Sequence, residues 1–121
     1  MDSSRQLPTF TESVAFSKQV DETGSLDLLF AIQDELLLDA TRGDIVPGTN
    51  GIRKARIGDP AKKLGKRGGY RYLYLYIEHR GRIFLLYLYA KRAAADVSPA
   101  QKKVLAELVE SIKKELGKSP R

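Results

Sequence analysis

The chain has 121 residues, 42% of them hydrophobic and 30% charged, with no cysteine and a formal net charge of +6. That length suits a single domain with a real core, and the missing cysteines exclude disulfides and thiolate metal sites. The apolar runs "YLYLYI" and "IFLLYLYA" are too short to span a bilayer and no export signal opens the chain, so no membrane association and a cytoplasmic location are expected.

Residues 1–8 are polar and read as a flexible tail. "TFTES" (9–13) has the make-up of a short edge strand, and "SVAFSKQV" (13–20) of a helix capped by Ser13. A clearer helix follows. Ser25 can cap residues 26–43, where Leu26, Leu29, Phe30, Leu36, Leu37 and Ala40 fall at helical spacings. Asp27, Asp34, Glu35 and Asp39 lie mostly on the wet side, and Gly43 supplies a left-handed stop. "DIVPGTNG" (44–51) is a turn-rich connector. In "IRKARI" (52–57), Ile52, Lys54 and Arg56 share one strand face, and Arg53, Ala55 and Ile57 the other.

After a basic loop over 58–69, the strands "YRYLYLYIE" and "RIFLLYLYAKR" are joined through "HRG" as a hairpin. "SPAQKKVLAELVESIKKELGK" then carries full helix punctuation. Ser98 is the cap, Pro99 the first helical position and Gln101 the partner in a capping box. Leu105, Leu108, Val109, Ile112 and Leu116 form the apolar stripe, Gly117 ends the helix, and residues 117–121 read as a tail. The order implies one α+β domain over 1–121: a small, mostly antiparallel sheet with two N-terminal helices and a C-terminal helix, one sheet face partly open.

Charge is unevenly spread. Residues 1–50 hold three basic and nine acidic side chains, a net −6; residues 51–92 hold twelve and two, a net +10; residues 93–121 hold six and four, a net +2. A basic middle segment on and between strands is the electrostatic footprint of a polyanion partner, or else a solubilising surface. "GKRGG" lacks the spacing of a phosphate-binding loop, and a lone histidine, His79, in a turn excludes mechanisms that need a histidine pair. With Asp59 and Glu78 the sole acids of the basic segment, no metal site and no cofactor are expected.

What remains is a set of cations: Lys54 and Arg56 on one strand, Arg71 opening the next, Lys91 and Arg92 ending the last, Lys66 and Arg67 in the loop. Converging at one end of a sheet, they could hold a phosphodiester and stabilise charge developing on it, or grip phosphate without catalysis.

The run "GDIVPGTNGIRKARI", "GKRGGYRYLYLYI", "RIFLLYLYAK" and "DVSPAQKKVLAELVESIKK" resembles the HigB-type branch of the RelE-like bacterial toxins, from about Asp44 to Glu115. The resemblance implies a toxin of a type II toxin–antitoxin pair that enters the ribosomal A site and cuts mRNA without metal, by 2′-hydroxyl attack on the adjacent phosphate. It implies as partners the ribosome, mRNA, a cognate antitoxin with a helix-turn-helix, and operator DNA through that antitoxin. By the same resemblance Arg71, Arg56, Lys54 and Lys91 are the catalytic candidates, and Arg53, Lys66, Arg67, Arg92 and Tyr89 the RNA-binding ones. Two departures stand out: Ala93 lies where many relatives have a glutamate, and no tyrosine follows Asp96, which leaves Tyr89 as a substitute on spacing. The alternatives are a protein-binding inhibitor of the ParE, gyrase-poison kind on the same fold, and a non-catalytic RNA- or ribosome-binding module.

In "GYRYLYLYI", Tyr70, Tyr72, Tyr74 and Tyr76 cannot share a strand face with Arg71. If Arg71 meets RNA, the tyrosine row faces the covering helices, its hydroxyls seeking partners at the rim.

Overall fold

A computed structural model describes residues 7–23, 25–59, 69–90 and 97–117. The elements run β1 (Thr9–Glu12), α1 (Val14–Thr23), α2 (Leu26–Leu38), β2 (Asp44–Ile45), β3 (Arg53–Ile57), β4 (Tyr70–Ile77), β5 (Arg82–Ala90) and α3 (Pro99–Gly117). The five strands form one sheet in the order β1-β5-β4-β3-β2, antiparallel except for the β1–β5 pair. This is the expected α+β architecture.

Its layering differs from the expected one. The Tyr72 and Tyr74 face packs with Phe16, Leu28, Ile32 and Leu36 of α1 and α2. The opposite face, with Leu73, Leu75 and Ile77, packs against Leu105 and Val109 of α3. The C-terminal helix therefore packs on the face opposite α1 and α2, the one expected to be partly open. The physical reason lies in β4 itself, which is apolar on both sides and must bury both.

Helix α2 is capped as expected, Ser25 Oγ accepting from Leu28 N–H at 3.2 Å. Its buried side is Leu28, Leu29, Ile32 and Leu36, whereas Leu26, Phe30, Leu37 and Leu38 are exposed. The helix also stops at Leu38, with Asp39 in extended conformation, rather than running to Gly43. Gly43 is needed for a different reason. A Cβ there would lie 3.0 Å from both the Lys54 carbonyl and the Tyr74 ring, so glycine lets the α2–β2 connector lie this close to the sheet without displacing its neighbours. Ser13 caps α1, accepting from Phe16 N–H at 3.0 Å. Helix α3 closes its capping box, with Gln101 N–H to Ser98 Oγ at 3.2 Å and Ser98 N–H to Gln101 Oε1 at 3.0 Å.

The β4–β5 hairpin turns through a short 3-10 segment, Glu78–Arg80, and Gly81 at φ 62 supplies the left-handed residue that ends it. The hairpin contains one bulge. Leu73 faces Tyr87 but Tyr74 faces Leu85, so Leu86 is the extra residue on β5. Ser13 holds the bulge, its N–H donating to Leu85 O at 2.9 Å and its hydroxyl to Leu86 O at 2.7 Å. The bulge has a consequence for side chains. Ile83 and Leu85 face α1 and α2, and unbroken alternation would send Tyr87 and Tyr89 the same way. The extra residue instead turns both tyrosines onto the α3 face.

Candidate functional site: a basic row across three strands

The tyrosine row is structural. Tyr72 and Tyr74 are fully buried on the α1/α2 side, and Tyr70 and Tyr76 pack at its margin. Tyr72 donates its hydroxyl to Glu35 Oε1 at 3.0 Å, and Arg42 pairs with the same oxygen at 3.2 Å. Glu35, expected on the wet side of α2, is thus drawn inward to satisfy a buried phenol. Tyr74 does double service: its hydroxyl donates to Ala40 O at 2.8 Å and accepts from Gly43 N–H at 2.9 Å. Burial, seconded by the Glu35 charge, holds the Tyr72 phenol well above its ordinary range. Burial likewise raises Tyr74, opposed by the Gly43 N–H.

Arg71 lies on the other face, as alternation along β4 requires. Its neighbour across β3 is Arg56 and across β5 is Tyr89, so the three form one straight row over three strands. Directly opposed residues share a face, with Cβ atoms roughly 5 Å apart. Lys54, Leu73 and Tyr87 make the adjoining row. Arg56 is exposed, Lys54 half-buried, and Arg71 and Tyr89 are each 9% exposed. An arginine that far withdrawn has its stem held by packing, with the row's open end at Arg56. Gly69 sets the approach to the row: a Cβ there would come within 2.1 Å of the Ile57 carbonyl, so glycine lets the chain enter β4 hard against the end of β3.

The structure thus brings together Lys54, Arg56, Arg71 and Tyr89 of the expected set. It does not bring in Arg53. That guanidinium is on the α1/α2 side, donating to Thr41 O at 3.0 Å and Gly43 O at 2.7 Å, where it fastens the connector after α2. The alternation of "IRKARI" already separates Arg53 from Lys54 and Arg56, and Arg53, expected to bind RNA, stands on the opposite face of β3 from them. Lys66, Arg67, Lys91 and Arg92 lie outside the described residues, as do the tails at 1–6 and 118–121 and the departure at Ala93. Tyr87 was not among the expected residues; like Tyr89 it is turned to this face by the bulge, and its ring stands 5.8 Å from that of Tyr89, tilted by 43°.

Among the described residues, three helices and a five-stranded sheet make an α+β protein that sets Arg56 and Arg71 side by side on adjacent strands. Residues 28–118 match the family model described as the RelE toxin of the RelE/RelB toxin–antitoxin system, and the chain belongs to that family. Membership implies a cognate antitoxin. Among solved structures, the chain is similar to Escherichia coli toxin RelE, a double arginine-to-alanine mutant in the free state. The TM-score is 0.54 at 16% sequence identity, over 74% of this chain and 90% of that one, and the likeness is one of fold. Among the described residues, no helix is long and apolar enough to cross a membrane.

Proposed function

We propose that the protein is a ribosome-dependent mRNA endonuclease, the toxin of a type II toxin–antitoxin pair. One observation carries the reading: Arg56, Arg71 and Tyr89 occupy facing positions on three adjacent strands, inside a segment of net charge +10. A phosphate lying between two guanidiniums can accept charge-assisted hydrogen bonds from both. RNA brings its own nucleophile. The 2′-hydroxyl oxygen forms a bond to phosphorus and the bond to the 5′-oxygen breaks, leaving a 2′,3′-cyclic phosphate and a 5′-hydroxyl. The proton leaves the 2′-oxygen and one is delivered to the departing 5′-oxygen. In this reading Arg71 and Arg56 stabilise the phosphorane, while Lys54 and Lys91 position it or move protons, without a metal. Tyr89, Lys66, Arg67 and Arg92 hold flanking RNA. The Lys-Arg-Gly-Gly-x-Arg sequence before β4 and the Tyr-x-Lys sequence at Tyr89 support a HigB-type member.

The test is cleavage of a defined message on purified ribosomes, with and without EDTA. Cleavage that requires the ribosome, survives EDTA and falls in Arg71→Ala is expected. Intact message with gyrase-linked DNA breaks on induction would identify a ParE-type inhibitor instead. Salt-sensitive ribosome binding with no cleavage would identify a binding module.

A further inference from the structure

Strand β1 accompanies β5 only from Arg82 to Leu85, so beyond Leu85 no strand among the described residues lies along the outer edge of β5. The end of α1 lies there instead, with Gln19 Oε1 accepting from Leu88 N–H at 2.8 Å. Between them is a cavity of about 320 Å3 whose walls include Gln19, Glu22, Thr23, Tyr70, Tyr87 and Tyr89. It borders the row of Arg71, because Tyr89 is the outer member of that row. The function proposed above gives this cavity no task.

Its chemistry is specific. Three tyrosines line it, and Tyr87 is half-buried, leaving part of its ring accessible. The Thr23 hydroxyl is used, donating to Val20 O at 2.6 Å and accepting from Ser25 N–H at 3.2 Å. Gln19 has committed its carbonyl oxygen to Leu88, which leaves its amide N–H groups as donors. The exposed Glu22 carboxylate takes no hydrogen bond from the described residues. The cavity therefore offers aromatic surface, two adjacent acceptors from one carboxylate, and a nearby amide donor.

Single-stranded RNA presents bases for stacking and for reading on their Watson–Crick edges. Guanine alone offers two adjacent donors, N1–H and the N2 amino group, beside an acceptor, O6. Adenine and cytosine each set an amino donor beside a bare ring nitrogen, which would face a carboxylate oxygen, and uracil has one donor between two acceptors. From Arg71, Tyr87 is a diagonal neighbour, at roughly 7–8 Å, a separation one nucleotide can bridge.

We propose that this cavity is a guanine-selecting subsite for the nucleotide adjoining the phosphate held by Arg56 and Arg71, a proposal that rests on the RNA reading above. Glu22 accepts from N1–H and N2–H, Gln19 donates to O6, and the ring of Tyr87 carries the base. The bulge at Leu86 puts the Tyr87 ring on the same sheet face as Arg71.

The test uses short single-stranded RNA with a 2′-deoxy nucleotide at the scissile position, so that binding is read without cleavage. Four oligonucleotides differing at one base are titrated against the full chain by tyrosine fluorescence. Guanine is expected to bind about tenfold tighter than the other three, and Glu22→Gln to bring all four within about twofold of one another. Tyr87→Ala is expected to weaken all four about tenfold, and Tyr87→Phe to restore them, since stacking needs the ring and not the hydroxyl. Equal binding of the four bases by the native chain overturns the proposal, as does a guanine preference that survives Glu22→Gln. An antitoxin that contacts Glu22 and Tyr87 in a chain without base preference would assign the cavity to that protein and also overturn it. Because the RNA is uncleavable, the subsite can fail while ribosomal cleavage stands, and can hold in a chain that cuts nothing.

Discussion

Replacing Tyr74 by phenylalanine removes one oxygen and leaves the ring and its packing unchanged. In the native fold that oxygen closes one buried and one part-buried bond, accepting from Gly43 N–H at 2.9 Å and donating to Ala40 O at 2.8 Å. Both backbone partners then lose their bond. An orphaned buried group costs about 1–3 kcal/mol, and partial access of water at the rim brings the sum to about 2–4 kcal/mol. At an m-value of about 1.5 kcal/mol per molar urea, the unfolding midpoint should fall by roughly 1.3–2.7 M. Tyr76→Phe is the control, since Tyr76 is only half-buried and its hydroxyl makes no bond among the described residues. It should stay within about 0.5 kcal/mol of the native chain. Ribosomal cleavage by folded Tyr74→Phe, measured below its midpoint, should be unchanged. A chain of native stability that has lost cleavage would refute the reasoning, because it would move the tyrosine row from the scaffold to the site.

Tyr72 supplies a pH signature. Its phenol is raised in the fold above the ordinary value of 10.0, mainly by burial and then by Glu35. The folded state therefore holds its proton more tightly than the unfolded one. Its contribution is fully present below pH 10 and is lost as pH rises further, by up to about 1.4 kcal/mol per pH unit. Urea midpoints from pH 8 to 11 should fall more steeply for the native chain than for Tyr72→Phe. Gly43→Ala sets a methyl group 3.0 Å from the Lys54 carbonyl and the Tyr74 ring, and should cost about 1–3 kcal/mol in the same assay. Arg56→Ala should lower the salt dependence of ribosome binding by about one unit of log-log slope, whereas Arg53→Ala should leave the slope alone and lower stability by about 1–2 kcal/mol.

Much of this was legible in the sequence because each reading rested on a local rule with one outcome. The alternation of "GYRYLYLYI" separates Arg71 from the tyrosines in any regular strand, and β4 is regular. Ser98, Pro99 and Gln101 mark the start of α3 through bonds that span three residues. The misses share a different cause, since each depended on what another element does. Exposed Phe30 and buried Leu28 are equally apolar, and which side of α2 turns inward is decided by the sheet beneath. Gly43 looked like a helix stop, but its lack of a side chain serves contacts with β3 and β4. The bulge at Leu86 leaves no mark in composition, because the extra residue is one more leucine in an apolar strand. With it went Tyr87, and with Tyr87 the cavity beside the cationic row.

In the proposed function Arg71, opposed by Arg56 and Tyr89, acts on a phosphodiester in translated message. Mapping 5′ ends of cellular mRNA after brief induction of the native chain and of Arg71→Ala, with the thermal midpoints of both proteins recorded, tests it most directly. The account predicts new ends within translated codons for the native chain, and a loss of about 10²–10³-fold in Arg71→Ala with folding retained, the magnitude for removing one transition-state donor. Undiminished ends in a folded Arg71→Ala protein, or no ends from a native chain that still arrests growth, would contradict it.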